Sequence, residues 1–515
     1  MTRPAVARLL WIALEGPGIE PEADVLLREG AGGVVLFGRN ITSARQVRAM
    51  TKELRRRAVG PLRVAIDHEG GHVARIGAPL TRFPSAMAIA ASGSTELAEA
   101  CARAAATELA WLGIDVNLAP VLDVATDPRN ASVGVRAFAS DPDMVAQFGA
   151  ATVRGCQAAG VAATAKHFPG HGRTAIDPHH ALPLVAGGLD ELRRTDLPPF
   201  RAAIDAGVQL VMTSHAAYEG VTNGLPATMS PPILGKLLRE ELGFGGLLLT
   251  DAMVMRAVAD DHGVAAASAT AIVAGADVAM PLVEQGAALG ALQSAVAEGR
   301  LTDERLTGAH RRLNELDAWL QAARPIPVDL PRPEHAALAL DAARRSLTLH
   351  SSGSLLPLAR GTSVAVIDFA TRRPSPIEEH EPDAGALTLA LALESAGLRA
   401  REVRLSGEPA AAARERLAAL EAAAAAEVVI LATRDAYLFA EDRALIGEVV
   451  SGARSTILVA LRNPYDLEVL PRTTEAIAAY ADVPATLEAL GGAIVGSQGF
   501  PGRLPMRIDA PVEAA

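Results

Sequence analysis

The chain has 515 residues, half of them hydrophobic and 21% charged, with a net charge of -11 and only 3% aromatic residues. That length exceeds one ordinary core, so at least two domains are expected. The negative charge argues against nucleic acid or an anionic membrane surface as a partner, and the shortage of aromatic rings argues against a single-strand stacking platform.

The first stretch, MTRPAVARLLWIALEGPG, holds an apolar run too short to span a bilayer, and Glu15 follows it without a small-residue cleavage pattern. It reads as the first strand of a cytoplasmic protein. Apolar runs of strand length recur at Leu9 to Leu14, Gly33 to Phe37, Leu62 to Ile66, Ile114 to Leu118, Val161 to Ala165, Leu210 to Thr213, Leu247 to Thr250 and Asp277 to Met280. Segments of helical composition lie between them, for example at Ser43 to Ala58, Thr95 to Leu112, Asp143 to Ala159, Leu192 to Ala206, Pro231 to Leu242 and Val264 to Ala274. Alternation of this kind predicts parallel strands with crossover helices, and eight repeats predict a closed (β/α)8 TIM-like barrel. Polar residues cluster where the runs end: Glu15, Asp67 with Glu69, Asn117, Lys166 with His167, His215 and Asp251. In a barrel these ends share one face.

Two amphipathic stretches, Gly286 to Glu298 and Asp303 to Leu320, close the expected barrel domain over residues 1–323. A proline-rich linker is expected over 324–335, and a smaller, doubly wound α/β sandwich over 336–515. The sandwich strands are expected at Ser363 to Phe369, Val428 to Thr433, Thr456 to Leu461 and Ala476 to Tyr480. Between them helices are expected at Leu387 to Ala396, Ala410 to Ala425, Leu445 to Ala453 and Pro484 to Ile494. Cys101 and Cys156 have no CxxC neighbour and read as buried thiols. No GxxxxGK or GxGxxG phosphate loop is present, and no cofactor is expected.

The densest chemistry lies in Lys166 to Pro183, KHFPGHGRTAIDPHHALP, which holds four of the twelve histidines among helix-breaking glycines and prolines. Asp177 and His179, two residues apart in a loop, can set a carboxylate against an imidazole nitrogen and form a general acid/base unit. An arbitrary pair of this kind is more often a turn cap beside a solvent histidine; the company of Lys166, His167 and His171 favours the functional reading. His167 and His171 have the i, i+4 spacing of zinc helices, but Pro169 and Gly170 fall between them. The two imidazoles are therefore expected not to share a face, and no metal is expected. Asp251 ends an apolar run and can both cap the following helix and attack a substrate over the barrel mouth. Asp67, in IleAspHisGluGlyGly, can grip sugar hydroxyls, with Arg75, Arg136 and Lys166 as cationic donors.

These motifs resemble the β-N-acetylhexosaminidase branch of glycoside hydrolase family 3. Lys166 to Pro183 is similar to its KHFPGHGxTxxDSHxxLP, Asp67 to Gly71 to its DQEGG, and Asn117 to Val124 to its NxAPVxDV. Val133 to Phe138 and Thr250 to Ala257 match two further motifs, and Arg462 to Leu467 and Gly502 to Pro505 resemble the closing segments. The resemblance implies Asp251 as nucleophile, His179 as acid/base, Asp177 as its orienting partner, and Asp67, Arg75, Arg136, Lys166 and His167 as the residues that hold N-acetylglucosamine. The implied activity is retaining, exo-acting release of terminal N-acetylglucosamine from cell-wall fragments or chitooligosaccharides, a small carbohydrate being the only partner. A phosphorylase that uses inorganic phosphate in place of water is the alternative; a β-glucosidase and an inactive sugar-binding protein rank below it. His68, Pro178 and Ala137 depart from the pattern, in place of glutamine, serine and serine. None of the three removes a reacting group.

Overall fold

The computed structural model describes residues 6–323, 328–351, 353–369, 377, 387–408, 410–469 and 475–508. Eight parallel strands form the first sheet: β1 (Trp11–Ala13), β2 (Gly33–Leu36), β3 (Arg63–Ile66), β4 (Val116–Asn117), β5 (Ala162–Phe168), β6 (Leu210–Thr213), β7 (Leu247–Ala252) and β8 (Val278–Met280). They neighbour one another in chain order, and a parallel bridge between Leu10 and Ala279 joins β8 back to β1, with the Ala279 amide donating to Leu9 O at 2.9 Å. The sheet is thus a nearly closed barrel, as the eightfold alternation predicted. Its helices pack by one face. The helix Ala44–Arg57 is capped by Ser43, whose Oγ accepts from Gln46 N, and it buries Val47, Met50 and Leu54 while its arginines face out.

The helix Pro21–Arg28 fills the first place in the eightfold alternation, with Pro21 in its first turn and Glu22 and Asp24 beside it as ordinary helix-start signals. It is short, and it joins β1 to β2.

The second sheet has six strands: β9 (Thr348–Ser351), β10 (Ser363–Phe369), β11 (Arg399–Leu405), β12 (Val428–Thr433), β13 (Thr456–Ala460) and β14 (Glu475–Ala478), in the order β9-β14-β13-β12-β10-β11. All pairings are parallel except that of β9 with β14. Helices cover both faces, giving two apolar layers. The edge strands β9 and β11 were not anticipated; β11 reads RAREVRL, and its four charged residues hide the strand pattern. Residues 324–327 of the expected linker lie outside the described residues, and the helix Pro333–Ser346 begins within the rest of it.

The two sheets share a seam. Met87, Ala88 and Val135 from the barrel side pack with Tyr437, Tyr465, Tyr480 and Met506 in one buried cluster. Ser85 Oγ donates to Tyr480 O at 2.9 Å, and Tyr437 Oη donates to Pro128 O at 2.6 Å.

At the opposite end of the barrel, Asp277 is fully buried at the start of β8 and pairs with three guanidinium groups. Arg239 reaches it at 2.7 Å, Arg312 at 2.8 Å and Arg305 at 3.1 Å, and the Leu248 amide donates to it at 3.0 Å. Burial and the neighbouring guanidinium groups outweigh the pull of Asp277 and hold Arg239 down at about 10. Removing the single anion would leave three cations facing one another. Asp277→Ala is expected to lower the unfolding free energy by about 3–5 kcal/mol in urea titration, whereas Asp260→Ala, which breaks an exposed pair with Arg256, should cost under about 0.5 kcal/mol.

Candidate active site

The carboxyl ends of the barrel strands open into a cavity of about 650 Å³. All eight residues singled out in the sequence line it: Asp67, Arg75, Arg136, Lys166, His167, Asp177, His179 and Asp251.

Its deepest wall is a set of paired charges. Lys166, in β5 and 1% exposed, places Nζ 2.6 Å from Asp67 Oδ1 and 2.7 Å from Glu69 Oε1. Glu69 in turn accepts two hydrogen bonds from Arg136, from Nε and Nη2, each at 2.8 Å. Burial disfavours the Lys166 cation, but Asp67 and Glu69 outweigh it and hold its pKa above the ordinary value. Burial likewise raises Glu69, and Arg136 and Lys166 reverse the effect, holding it well below the usual carboxylate range. Glu69 sits in a hairpin, His68–Gly70 with Val73–Ala74, whose tight turn requires glycine. At Gly71 (φ +54) a side chain would meet Ser85 at 2.8 Å. Arg75 leaves this hairpin; its Nη2 lies 3.8 Å from Asp67 Oδ2, and its Nη1 donates to Ile377 O at 2.6 Å.

Next along the cavity is His167. Its Nδ1 lies 2.7 Å from Asp123 Oδ2, and Asp123 is fully buried. Burial raises the Asp123 carboxyl, but His171, His167 and their hydrogen bonds prevail and keep it well below the ordinary range. An ionised Asp123 fixes the proton on Nδ1 and turns Nε2 towards Asp251, whose Oδ2 is 3.9 Å away. Asp123 also accepts from the His171 backbone N–H at 3.0 Å.

That bond corrects the expectation that His167 and His171 lie apart. Their ring centroids are 4.7 Å apart, because Gly170 (φ +119) turns the chain back and Asp123 gathers both residues. Asp123, His167 and His171 each offer one ligand atom within 4.8 Å of the others. In this arrangement the Asp123 carboxylate is engaged by N–H donors from both histidines. Burial lowers His171 to about 4, so the ring is neutral near pH 7.

Asp251 ends β7, and its Oδ1 accepts from the Ala252 N–H at 2.7 Å. Burial raises its pKa, but His167, His215 and the Ala252 N–H together bring it below the ordinary value. It is therefore an anion near neutral pH. His215, two residues past β6, braces the backbone next to Asp251: Nε2 lies 3.1 Å from Ala252 O, and Nδ1 lies 2.7 Å from Thr228 Oγ1. Burial lowers the His215 pKa, so the ring is neutral; Nε2–H donates to the carbonyl and Nδ1 accepts from the threonine.

The Asp177–His179 pair forms the more open wall. Asp177 Oδ1 accepts from the His179 backbone N–H at 2.9 Å and lies 2.7 Å from His179 Nδ1. The His179 side chain is 21% exposed. Pro178, between them, presents its carbonyl to the Ala257 N–H at 3.1 Å, which ties the loop to the chain just beyond Asp251. Three residues were not assigned roles from sequence alone. Glu69 and Asp123 lie within the quoted motifs, whereas Thr228 had no local signal, because its partner His215 is met only through the fold.

Comparison with known proteins agrees with this geometry. Residues 9–316 match the family model for the glycosyl hydrolase family 3 N terminal domain. A solved glycoside hydrolase family 3 β-N-acetylglucosaminidase from a Paenibacillus species superposes with a TM-score of 0.94 at 34% identity, covering 99% of this chain and 100% of that one. A β-hexosaminidase from Alkalilimnicola ehrlichii is 34% identical over 342 residues, 63% of this chain and 97% of that relative. β-Hexosaminidase A from Pseudoalteromonas piscicida is 33% identical over 390 residues, 69% of this chain, which spans 65% of that relative's length. With its barrel, its strand-end charges and its full-length match to a family member, the chain belongs to glycosyl hydrolase family 3.

Proposed function

We propose that the chain is a retaining, exo-acting β-N-acetylglucosaminidase. The observation that carries this reading is one cavity holding an ionised Asp251, an imidazole gripped by Asp177 and a buried clamp of charged hydrogen-bonding groups. The name of the Paenibacillus protein supports the N-acetyl sugar as substrate, and those of the Alkalilimnicola and Pseudoalteromonas proteins support a β-hexosaminide.

In this mechanism Asp67, Lys166, Arg136, Arg75 and His167 bind the sugar ring, and Glu69 behind them holds Arg136 and Lys166 in place. The Asp251 carboxylate attacks the anomeric carbon as the bond to the leaving oxygen breaks, and His179 Nε2 gives that oxygen its proton. Asp177 holds Nδ1–H, so the Nε2 position is the one that faces the reaction. The now neutral His179 takes a proton from water, which displaces the Asp251 carboxylate and releases the sugar. Cell-wall fragments or chitooligosaccharides are the proposed natural substrates, and the cytoplasm the proposed place of action. A neutral imidazole does not repel an anionic acceptor, so phosphate is the competing acceptor to test.

Three outcomes follow. Asp251→Ala should lose at least about 10³-fold in kcat on p-nitrophenyl N-acetyl-β-D-glucosaminide in steady-state assays; a wild type as inert as the variant would remove catalysis from the account. His179→Ala should lose about 10²–10⁴-fold on a disaccharide but less on the nitrophenyl glycoside, whose leaving group needs little protonation, and azide should restore turnover by attacking without a base. With excess inorganic phosphate, product analysis should still give free N-acetylglucosamine at an unchanged rate. Accumulation of the sugar 1-phosphate would replace the hydrolase reading with a phosphorylase.

A further inference from the structure

The turn that carries Arg136 is gripped from two sides. On the barrel side Asn130 Oδ1 accepts from Ser132 Oγ at 2.8 Å and from Val133 N at 3.1 Å, while Asn130 Nδ2 donates to His171 O at 2.9 Å. Arg136 Nη1 then donates to Ser132 O at 2.7 Å. On the other side the turn meets the second sheet. Tyr437 Oη donates to Pro128 O at 2.6 Å, and the Tyr437 amide donates to Asp466 Oδ1 at 2.8 Å, which fixes the tyrosine.

Gly134, at φ +41, lies flat against the Asn463 side chain. A Cβ there would come 2.7 Å from Asn463 Oδ1 and 2.8 Å from Nδ2, closer than side-chain atoms pack. Asn463 is 1% exposed, and neither end of its amide has a hydrogen-bond partner among the described residues. Its backbone amide donates to Asp435 Oδ1 at 3.2 Å. Leaving a buried amide unpaired is unfavourable, and leucine would fill the same volume without that cost. What the Asn463 side chain offers the turn is therefore contact by shape, against the one residue of the turn that lacks a side chain.

We infer that Asn463 and Tyr437 are positioning residues: the second sheet sets where the Arg136 turn sits, and through it the geometry of the sugar clamp, without touching the sugar. The path is short. Arg136 is two residues from Gly134 and holds both oxygens of Glu69, and Glu69 shares Lys166 with Asp67, so a shift of the turn reaches every charge in the clamp. The inference rests on the proposed role of Arg136 in binding the sugar.

The test is a set of four variants of the full chain, Gly134→Ala, Asn463→Ala, their double variant and Tyr437→Phe, assayed on p-nitrophenyl N-acetyl-β-D-glucosaminide with thermal unfolding alongside. Gly134→Ala should raise KM about tenfold with kcat changed less than about threefold, the pattern of lost ground-state binding. Asn463→Ala, added to it, should recover part of that loss by opening the space the new methyl group needs, the strain of an alanine at φ +41 remaining, so the two effects are not additive. Tyr437→Phe, which keeps the ring, should raise KM about threefold with a Tm loss of only a few degrees. Multiplicative KM effects in the double variant, or variants that lower Tm while KM stays at the wild-type value, would overturn the inference. A wild type inert towards the glycoside counts against the proposed function instead. Coupling between positions 134 and 463 in Tm then still reports the contact, and its absence overturns the inference.

Discussion

Four charges buried together govern the cavity. Lys166 and Arg136 supply two cations, Asp67 and Glu69 two anions, and Lys166 touches both carboxylates while Arg136 holds Glu69 with two parallel bonds. Each would be costly to desolvate alone, and only mutual pairing with satisfied hydrogen bonds makes such a set tolerable in the interior. The fold accordingly delivers them from separate elements to one point: Asp67 from the end of β3, Glu69 from the hairpin behind it, Lys166 from β5 and Arg136 from the turn after β4. Such a cluster is poor as a source of stability and good as a rigid, polar cradle. Its donors and acceptors are set before a ligand arrives, the condition for binding a polyhydroxylated ring without reordering side chains.

The reacting groups are built on a different principle. Asp251 stays anionic because neutralising influences, His167, His215 and the Ala252 N–H, outweigh its burial, and His167 owes its orientation to Asp123. The acid/base pair is more exposed and is carried on a loop that Pro178 O and Ala257 N tie to the chain just beyond the nucleophile. A rigid clamp and nucleophile facing a less constrained proton carrier suit a reaction in which the same imidazole must meet first a leaving group and then an incoming acceptor.

Much of this was legible in the chain itself. The barrel strands announced themselves because strands buried on both faces are continuous apolar runs, and the loop after β5 because glycine and proline excluded helix from a stretch dense in ionisable groups. What stayed hidden depended on three-dimensional return paths. The Pro169–Gly170 break between His167 and His171 was read as separating their rings, yet Gly170 turns the chain and Asp123, more than forty positions earlier, draws both rings together. The edge strand β11 was masked by its arginines. Contacts of Tyr437 and Asn463 with the Arg136 turn join segments some three hundred residues apart; Gly134 and Asn463 each lie in a quoted motif, but nothing local says that the two motifs meet.

The whole mechanism depends on Asp251 as the nucleophile. The direct measurement is to incubate the protein with a 5-fluoro N-acetylglucosaminyl fluoride, whose slow turnover accumulates the glycosyl-enzyme, and to map the mass increase by peptide sequencing. One sugar per chain, esterified to Asp251 and lost with return of activity on dilution, is the predicted result. Inactivation with the label on another residue, or turnover of substrate with no covalent adduct at any time, would contradict it.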